Sequence, residues 1–186
     1  LVPLMVIVSL INIPVEFYGI PLTFIIMDII FIIGSLTDKL DGYLARKNNQ
    51  VTNFGKFLDP IADKILVISA MLILVDAERL PSWIPIIIIT RELAVSGYRL
   101  IAVEQNGKVI AASVWGKLKT VTQMIAIALA FVDVNSFGAI FFEKLDTVPF
   151  ILNLLTTLLM IVCVVATIFS GYEYLKNGKD LLKDVK

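Results

Sequence analysis

The sequence contains no histidine and a single cysteine, Cys163. The first absence removes Ser–His and Cys–His nucleophilic chemistry and histidine-ligated zinc together. The second leaves no partner for a disulfide or a thiolate metal site, so Cys163, inside the run LLMIVCVVA, reads as a small buried hydrophobe. Any general base must then be Asp, Glu, Lys or Tyr. The apolar start, LVPLMVIVSLI, has neither a charged leader nor a small-residue cleavage site, which argues against a signal peptide and for a helix entered partway. Net charge is zero, and no nucleic-acid partner is expected.

What the chain has in excess is apolar surface. Hydrophobic residues make up 58% of its 186 positions, and its mean hydropathy is +0.89, values that argue for a membrane protein. Apolar runs at 1–15, 20–46, 55–76, 84–104, 114–133 and 148–172 are separated by breakers: Pro21, KNNQVTN, DAERLPS, QNGK, and the stretch from Asp133 to Pro149. The expected architecture is all-α, a single polytopic membrane domain over 1–186 with six transmembrane helices and a polar cavity at one end. Of the 16 Lys and Arg, all but Arg79 and Lys144 fall on one side of that arrangement, which assigns this side to the cytoplasm. Trp83 and Trp115, at the ends of runs, read as interfacial anchors.

One stretch breaks the apolar pattern. DKLDGYLAR, eight further residues, and GKFLDPIAD place four carboxylates between strongly apolar segments. Charges there are costly without a cation or a polar cavity to receive them. At helical spacing Asp38, Asp41 and Ala45 share one face, and Gly55, Asp59 and Asp63 share another. Two helices joined by a short polar loop would bring these faces together. Their oxygen donors suit Mg²⁺ or Mn²⁺, and a pair of divalent cations is a usual device for displacing a phosphoryl oxygen. Gly42 and Ala45 leave room for a ligand beside the carboxylates, although such small residues also serve close helix packing. Arg46 offers a fork to a phosphate. Pro60 either follows Asp59 as the start of a helix or bends a continuous one, and the bend keeps Gly55 in register with Asp59.

Further on, Arg91 and Arg99 lie eight residues apart within TRELAVSGYRL, near one helical face, and Lys117 and Lys119 open the fifth run in WGKLKTVTQ. A basic pocket beside the carboxylates suggests an acceptor that itself carries a phosphate. Snorkelling to anionic headgroups is the competing role for the lysines, and pairing with a helix carboxylate is the competing role for Arg91. Asp28 and Glu16 have no role in this scheme; Asp28 lies about 15 Å along a helix from Asp38.

The pattern D-x-x-D-G-x-x-A-R-x8-G-x3-D-x3-D resembles the signature of the CDP-alcohol phosphatidyltransferases at every fixed position. The resemblance implies a six-helix membrane enzyme, usually a homodimer, whose cavity opens to the cytoplasm. Such enzymes transfer the phosphatidyl group of CDP-diacylglycerol to an alcohol and release CMP. It further implies that Asp38, Asp41, Asp59 and Asp63 ligate two divalent cations, Mg²⁺ or Mn²⁺, and that Asp63 is the general base. Asp38, Gly42, Ala45, Arg46, Thr52 and Gly55 would hold CDP-diacylglycerol. RELAVSGYRL and GKLKTVTQ are similar to segments of the bacterial phosphatidylglycerophosphate synthases within that family, which implies glycerol 3-phosphate as acceptor, with Arg91, Arg99, Lys117 and Lys119 at its phosphate, and a place in phospholipid biosynthesis. The P-N-x-x-T-x-x-R element that helps such enzymes bind the nucleotide is not found in these residues. Other acceptors within the family (inositol phosphate, serine, phosphatidylglycerol) are the alternative. A divalent-cation transporter would also carry intramembrane carboxylates, but it gives no reason for Gly42, Ala45 and Arg46 beside them.

Overall fold

The computed structural model describes the backbone of residues 1–11, 13–47, 53–104 and 114–177, and side chains within these ranges except at 38–63, 99–104 and 177. Six α-helices carry the fold: α1 (Val2–Leu10), α2 (Leu22–Lys47), α3 (Asn53–Asp76), α4 (Trp83–Glu104), α5 (Val114–Val132) and α6 (Thr147–Asn177). From α2 onward they begin and end within a few residues of the expected apolar runs. The first run differs. Helix α1 ends at Leu10, Ile11 is already extended (φ −94°, ψ 114°), and the chain enters a small hairpin. Strands β1 (Glu16–Phe17) and β2 (Ile20–Pro21) pair antiparallel, Glu16 with Pro21 and Phe17 with Ile20. The two residues between them, Tyr18 (φ 53°) and Gly19 (φ 78°), both have positive φ, as a tight primed turn demands. Expected run 1–15 is therefore a nine-residue helix plus an approach to a hairpin.

The bundle buries polar side chains beside its apolar core and turns apolar ones outward. Thr122, Gln123, Asn153, Thr156, Thr157, Thr167 and Ser170 are all buried, while Ile161, Val165, Ile168 and Phe169 of α6 face outward. Threonines 122, 156 and 167 each donate their hydroxyl to the carbonyl four residues earlier, so they are satisfied without neighbours. The inner packing centres on Phe31 of α2, Met71 and Leu74 of α3, Ile84 and Ile88 of α4, Ile127 and Phe131 of α5, and Met160 and Cys163 of α6. Cys163 is buried as expected, its Sγ 3.8 Å from the Lys119 carbonyl. Helix α5 packs most extensively on α6, and α2 touches α1, α3 and α5.

Among the described residues one helical segment, Thr147–Lys176, is both long and apolar enough to cross a bilayer. The apolar part of α2, Leu22–Thr37, is shorter. Trp83 opens α4 and packs edge-on against Phe137, while Trp115 stacks on Phe169 at the start of α5.

At the end opposite the carboxylate motif, Arg79 ties the α3–α4 connection to α5. Its guanidinium donates to the Phe131 carbonyl at 2.7 Å and lies 3.6 Å over the Phe24 ring. Burial pushes this group down to about 10 and the nearby Asp133 draws it back up, so it stays charged at neutral pH.

Candidate active site

Two helix ends carry the motif. Asp38, Asp41, Gly42, Ala45 and Arg46 occupy the last turns of α2, and Gly55, Asp59 and Asp63 the first turns of α3. Thr52 lies outside the described residues, as do the side chains of the whole motif and of Arg99. Helix α3 begins at Asn53 and runs through Pro60 without a break, so Asp59 does not cap a new helix and Gly55 stays in register with it.

The packing just beyond the motif explains why these two stretches neighbour each other. Gly34 is buried where α2 meets α3: a Cβ on it would sit 2.9 Å from Leu66 Cδ2 and 3.3 Å from Leu1 Cδ1. Gly34 precedes Asp38 by four residues, and Leu66 follows Asp63 by three. Each is thus one turn from a motif carboxylate position on its own helix. Close approach at Gly34 brings the two backbones together one turn from the aspartates. Gly34→Ala requires only the flexible ends of Leu66 and Leu1 to shift. Gly34→Ile is expected to overpack the contact, lowering stability by about 1–3 kcal/mol in thermal unfolding of the detergent-solubilised protein.

Beside the motif, on α3, α4 and α5, the structure assembles a charge cluster around one carboxylate. Glu92 Oε1 accepts from Lys119 Nζ at 2.7 Å and from the Arg91 guanidinium at 2.9 Å, and Glu92 Oε2 lies 3.6 Å from Lys64 Nζ. Lys64 also donates to the Ser96 hydroxyl, which donates to the Glu92 carbonyl at 2.7 Å. Arg91 reaches across to α6, donating to Ser170 Oγ. Gly171 makes that crossing possible, because a Cβ there would meet Arg91 Cγ at 3.3 Å. A cavity of about 70 Å³ lies against the cluster, walled by Lys64, Glu92, Lys119 and Gln123 over Met71 and Ile88.

Of the expected acceptor-site residues, Arg91 and Lys119 therefore come together. Arg91 does pair with a helix carboxylate, the competing role for it, yet shares that carboxylate with two lysines. Lys117, two positions before Lys119 and about 200° around the helix, is exposed. Lys64, Glu92, Ser96 and Ser170 were missed in the sequence; the one signal was an acid, Glu92, set beside Arg91 inside an apolar run. Asp28 stands apart on α2, its Oδ1 buried without a hydrogen-bond partner among the described residues, and Glu16 is exposed on β1.

The chemistry of the four aspartates, oxygen donors only, suits a hard cation such as Mg²⁺ or Mn²⁺ better than zinc or copper. Among the described side chains, no group of three His, Cys, Asp or Glu could hold a metal ion, so the motif has no competing site there.

The CDP-alcohol phosphatidyltransferase family profile matches residues 1–170. This chain belongs to that family. Among its relatives, the CDP-diacylglycerol–glycerol-3-phosphate 3-phosphatidyltransferase of Bacillus subtilis (strain 168) is 43% identical over 165 residues, covering 89% of this chain and 79% of the relative. The protein of the same name from Haemophilus influenzae is 36% identical over 164 residues, 86% of this chain and 80% of the relative. A probable phosphatidylglycerophosphate synthase of Mycobacterium tuberculosis (strain H37Rv) is 35% identical over 156 residues, 84% of this chain and 66% of the relative. For a CDP-alcohol phosphatidyltransferase, the neighbouring positions of the carboxylate motif and the basic cluster have a direct chemical use.

Proposed function

We propose that this CDP-alcohol phosphatidyltransferase transfers the phosphatidyl group of CDP-diacylglycerol to sn-glycerol 3-phosphate, giving phosphatidylglycerol phosphate and CMP. The observation that carries the acceptor is the basic cluster of Lys64, Arg91 and Lys119 on the helices next to the motif. A phosphorylated alcohol fits such a cluster, whereas serine or a neutral polyol has no use for it. The shared name of the Bacillus and Haemophilus relatives supports the same acceptor.

Asp38, Asp41, Asp59 and Asp63 would hold two divalent cations, which supply charge neutralisation at the pyrophosphate and at the departing CMP oxygen. Gly42 and Ala45 leave space for the nucleotide against the α2 backbone, and Arg46, Thr52 and Gly55 complete its seat. Arg91 and Lys119, with Arg99 on the same face of α4 by its spacing, hold the acceptor phosphate, which turns its free hydroxyl toward the motif, while Lys117, exposed on the far side of α5 from Lys119, keeps the competing role at anionic headgroups. Asp63 removes the hydroxyl proton; a carboxylate beside a cation is a weak base, so it acts through position within hydrogen-bond reach. The long helices α2 to α6 cross the bilayer with the motif end in the cytoplasm, in line with the Lys and Arg bias and the outward apolar residues, and the enzyme works as a homodimer.

The test is an assay of the protein in detergent or nanodiscs with CDP-diacylglycerol and competing alcohols. Glycerol 3-phosphate should give a phosphatidyl product with one CMP released per lipid formed. No product from it, or preference for inositol phosphate, serine or phosphatidylglycerol, would overturn the acceptor. Chelation should abolish turnover, and Mg²⁺ or Mn²⁺ should restore it; turnover that survives chelation would remove the metal role of the four aspartates.

A further inference from the structure

Among the described side chains, the cluster around Glu92 carries more positive than negative charge. Lys64, Arg91 and Lys119 bring three positive charges to a single carboxylate, so among the described side chains two positive charges are left over. A purely structural network tends toward pairing, because surplus buried charge of one sign is costly. This surplus is well shielded from water: Lys119 is 7% exposed, Arg91 13% and Glu92 17%. A phosphomonoester carries about −1.5 to −2 near neutral pH, which matches the excess.

Lys64 is the outermost member at 28% exposure, and its 3.6 Å contact with Glu92 is the longest of the three. The cavity of about 70 Å³ opens directly against Lys64, Glu92 and Lys119. It has room for about two waters, comparable to one phosphoryl group and far below a whole substrate. Lys64 also directly follows Asp63 in α3. An anion held there lies at the carboxylate motif, as an acceptor's phosphate must if its hydroxyl is to be reached.

We propose that Lys64 is a further cation of the acceptor-phosphate seat, and that Glu92 is a positioning residue that holds Lys64, Arg91 and Lys119 in it. The inference rests on the proposed phosphorylated acceptor. Glu92 spans three helices through its two oxygens and its own carbonyl, so it fixes α3 against α4 and α5 where the motif ends. It also lowers the charge of the seat from three to two. The seat then takes a dianion and stays balanced.

The experiment uses the full chain in nanodiscs. Lys64→Met should raise KM for glycerol 3-phosphate about tenfold, the effect of one charge-assisted hydrogen bond, with kcat changed less than threefold and KM for CDP-diacylglycerol unchanged. Lys64→Arg should recover most of the loss. Glu92→Gln should raise the same KM, and Glu92→Asp should restore part of it; a merely structural Glu92 would instead move kcat and both KM values together. In parallel, inorganic phosphate should raise the unfolding midpoint of the wild type above that in chloride at equal ionic strength, and this increment should vanish in Lys64→Met. An unchanged acceptor KM together with an unchanged phosphate increment overturns the role of Lys64, as does a fall in kcat alone. If the wild type forms no lipid from glycerol 3-phosphate, the proposed acceptor fails, and the phosphate increment still decides whether Lys64 belongs to an anion seat.

Discussion

Asp63→Asn is expected to lower phosphatidyl transfer by about 10²–10⁴-fold, the range that a positioned general base contributes. The substitution keeps the size of the side chain and its place in α3 but removes the ability to take a proton. It also weakens one of four ligands in a site whose other three carboxylates remain. Binding of CDP-diacylglycerol should therefore survive in part while turnover is lost. Single-turnover CMP release and equilibrium binding of the nucleotide lipid, measured on the same preparation, separate the two. Retention of substantial transfer by the variant would end the assignment of Asp63 as base. Loss of binding in proportion to turnover would make Asp63 a ligand alone.

The contrast between Asp63 and its neighbour Lys64 shows how far the sequence could be read. The motif was legible because its signal is local: carboxylates, small residues and an arginine at fixed spacing on two helices, in a background too apolar to tolerate them otherwise. The helices were legible for the same reason, since runs of 20 or so apolar residues need no partner to be recognised. Helix α3 also kept the register through Pro60 that the spacing of Gly55, Asp59 and Asp63 requires. The hairpin of Glu16–Phe17 and Ile20–Pro21 was not legible, because two-residue strands carry no periodicity and its turn places Tyr18, a non-glycine, at positive φ. Lys64 and Glu92 were missed for a different reason. Their meaning depends on contacts between α3, α4 and α5, and no spacing within one helix encodes them. The same holds for Gly34 and Gly171, which matter only for what crosses them.

The largest stability effect is expected at the other end of the bundle, at Asn153. This fully buried side chain on α6 donates from Nδ2 to Asp133 Oδ2 at 2.8 Å and to the Ser136 carbonyl at 3.0 Å, and its Oδ1 accepts the Ile140 N–H at 3.2 Å. Asp133 is 1% exposed; its other oxygen accepts from the Asn135 backbone and side chain, both at 3.0 Å. One asparagine thus satisfies a buried carboxylate and two backbone groups in the α5–α6 connection, while Arg79 offsets the Asp133 charge from nearby. Asn153→Leu removes all three bonds, leaving the buried Asp133 carboxylate without this donor and the less buried Ser136 carbonyl and Ile140 N–H without their partner. Each orphaned group costs about 1–3 kcal/mol, and after partial relaxation the variant should lose about 3–5 kcal/mol. That is a large share of the 5–15 kcal/mol typical of a folded domain. Asn153→Asp is the sharper control, because it keeps the shape and the acceptor for Ile140 but sets a second carboxylate against Asp133 at hydrogen-bond distance. If the knot is held by donation to Asp133, Asn153→Asp should be at least as damaging as Asn153→Leu near neutral pH. Thermal unfolding in one detergent compares them directly. A Leu variant within 1 kcal/mol of wild type, or an Asp variant as stable as wild type, would show that the connection does not depend on this side chain.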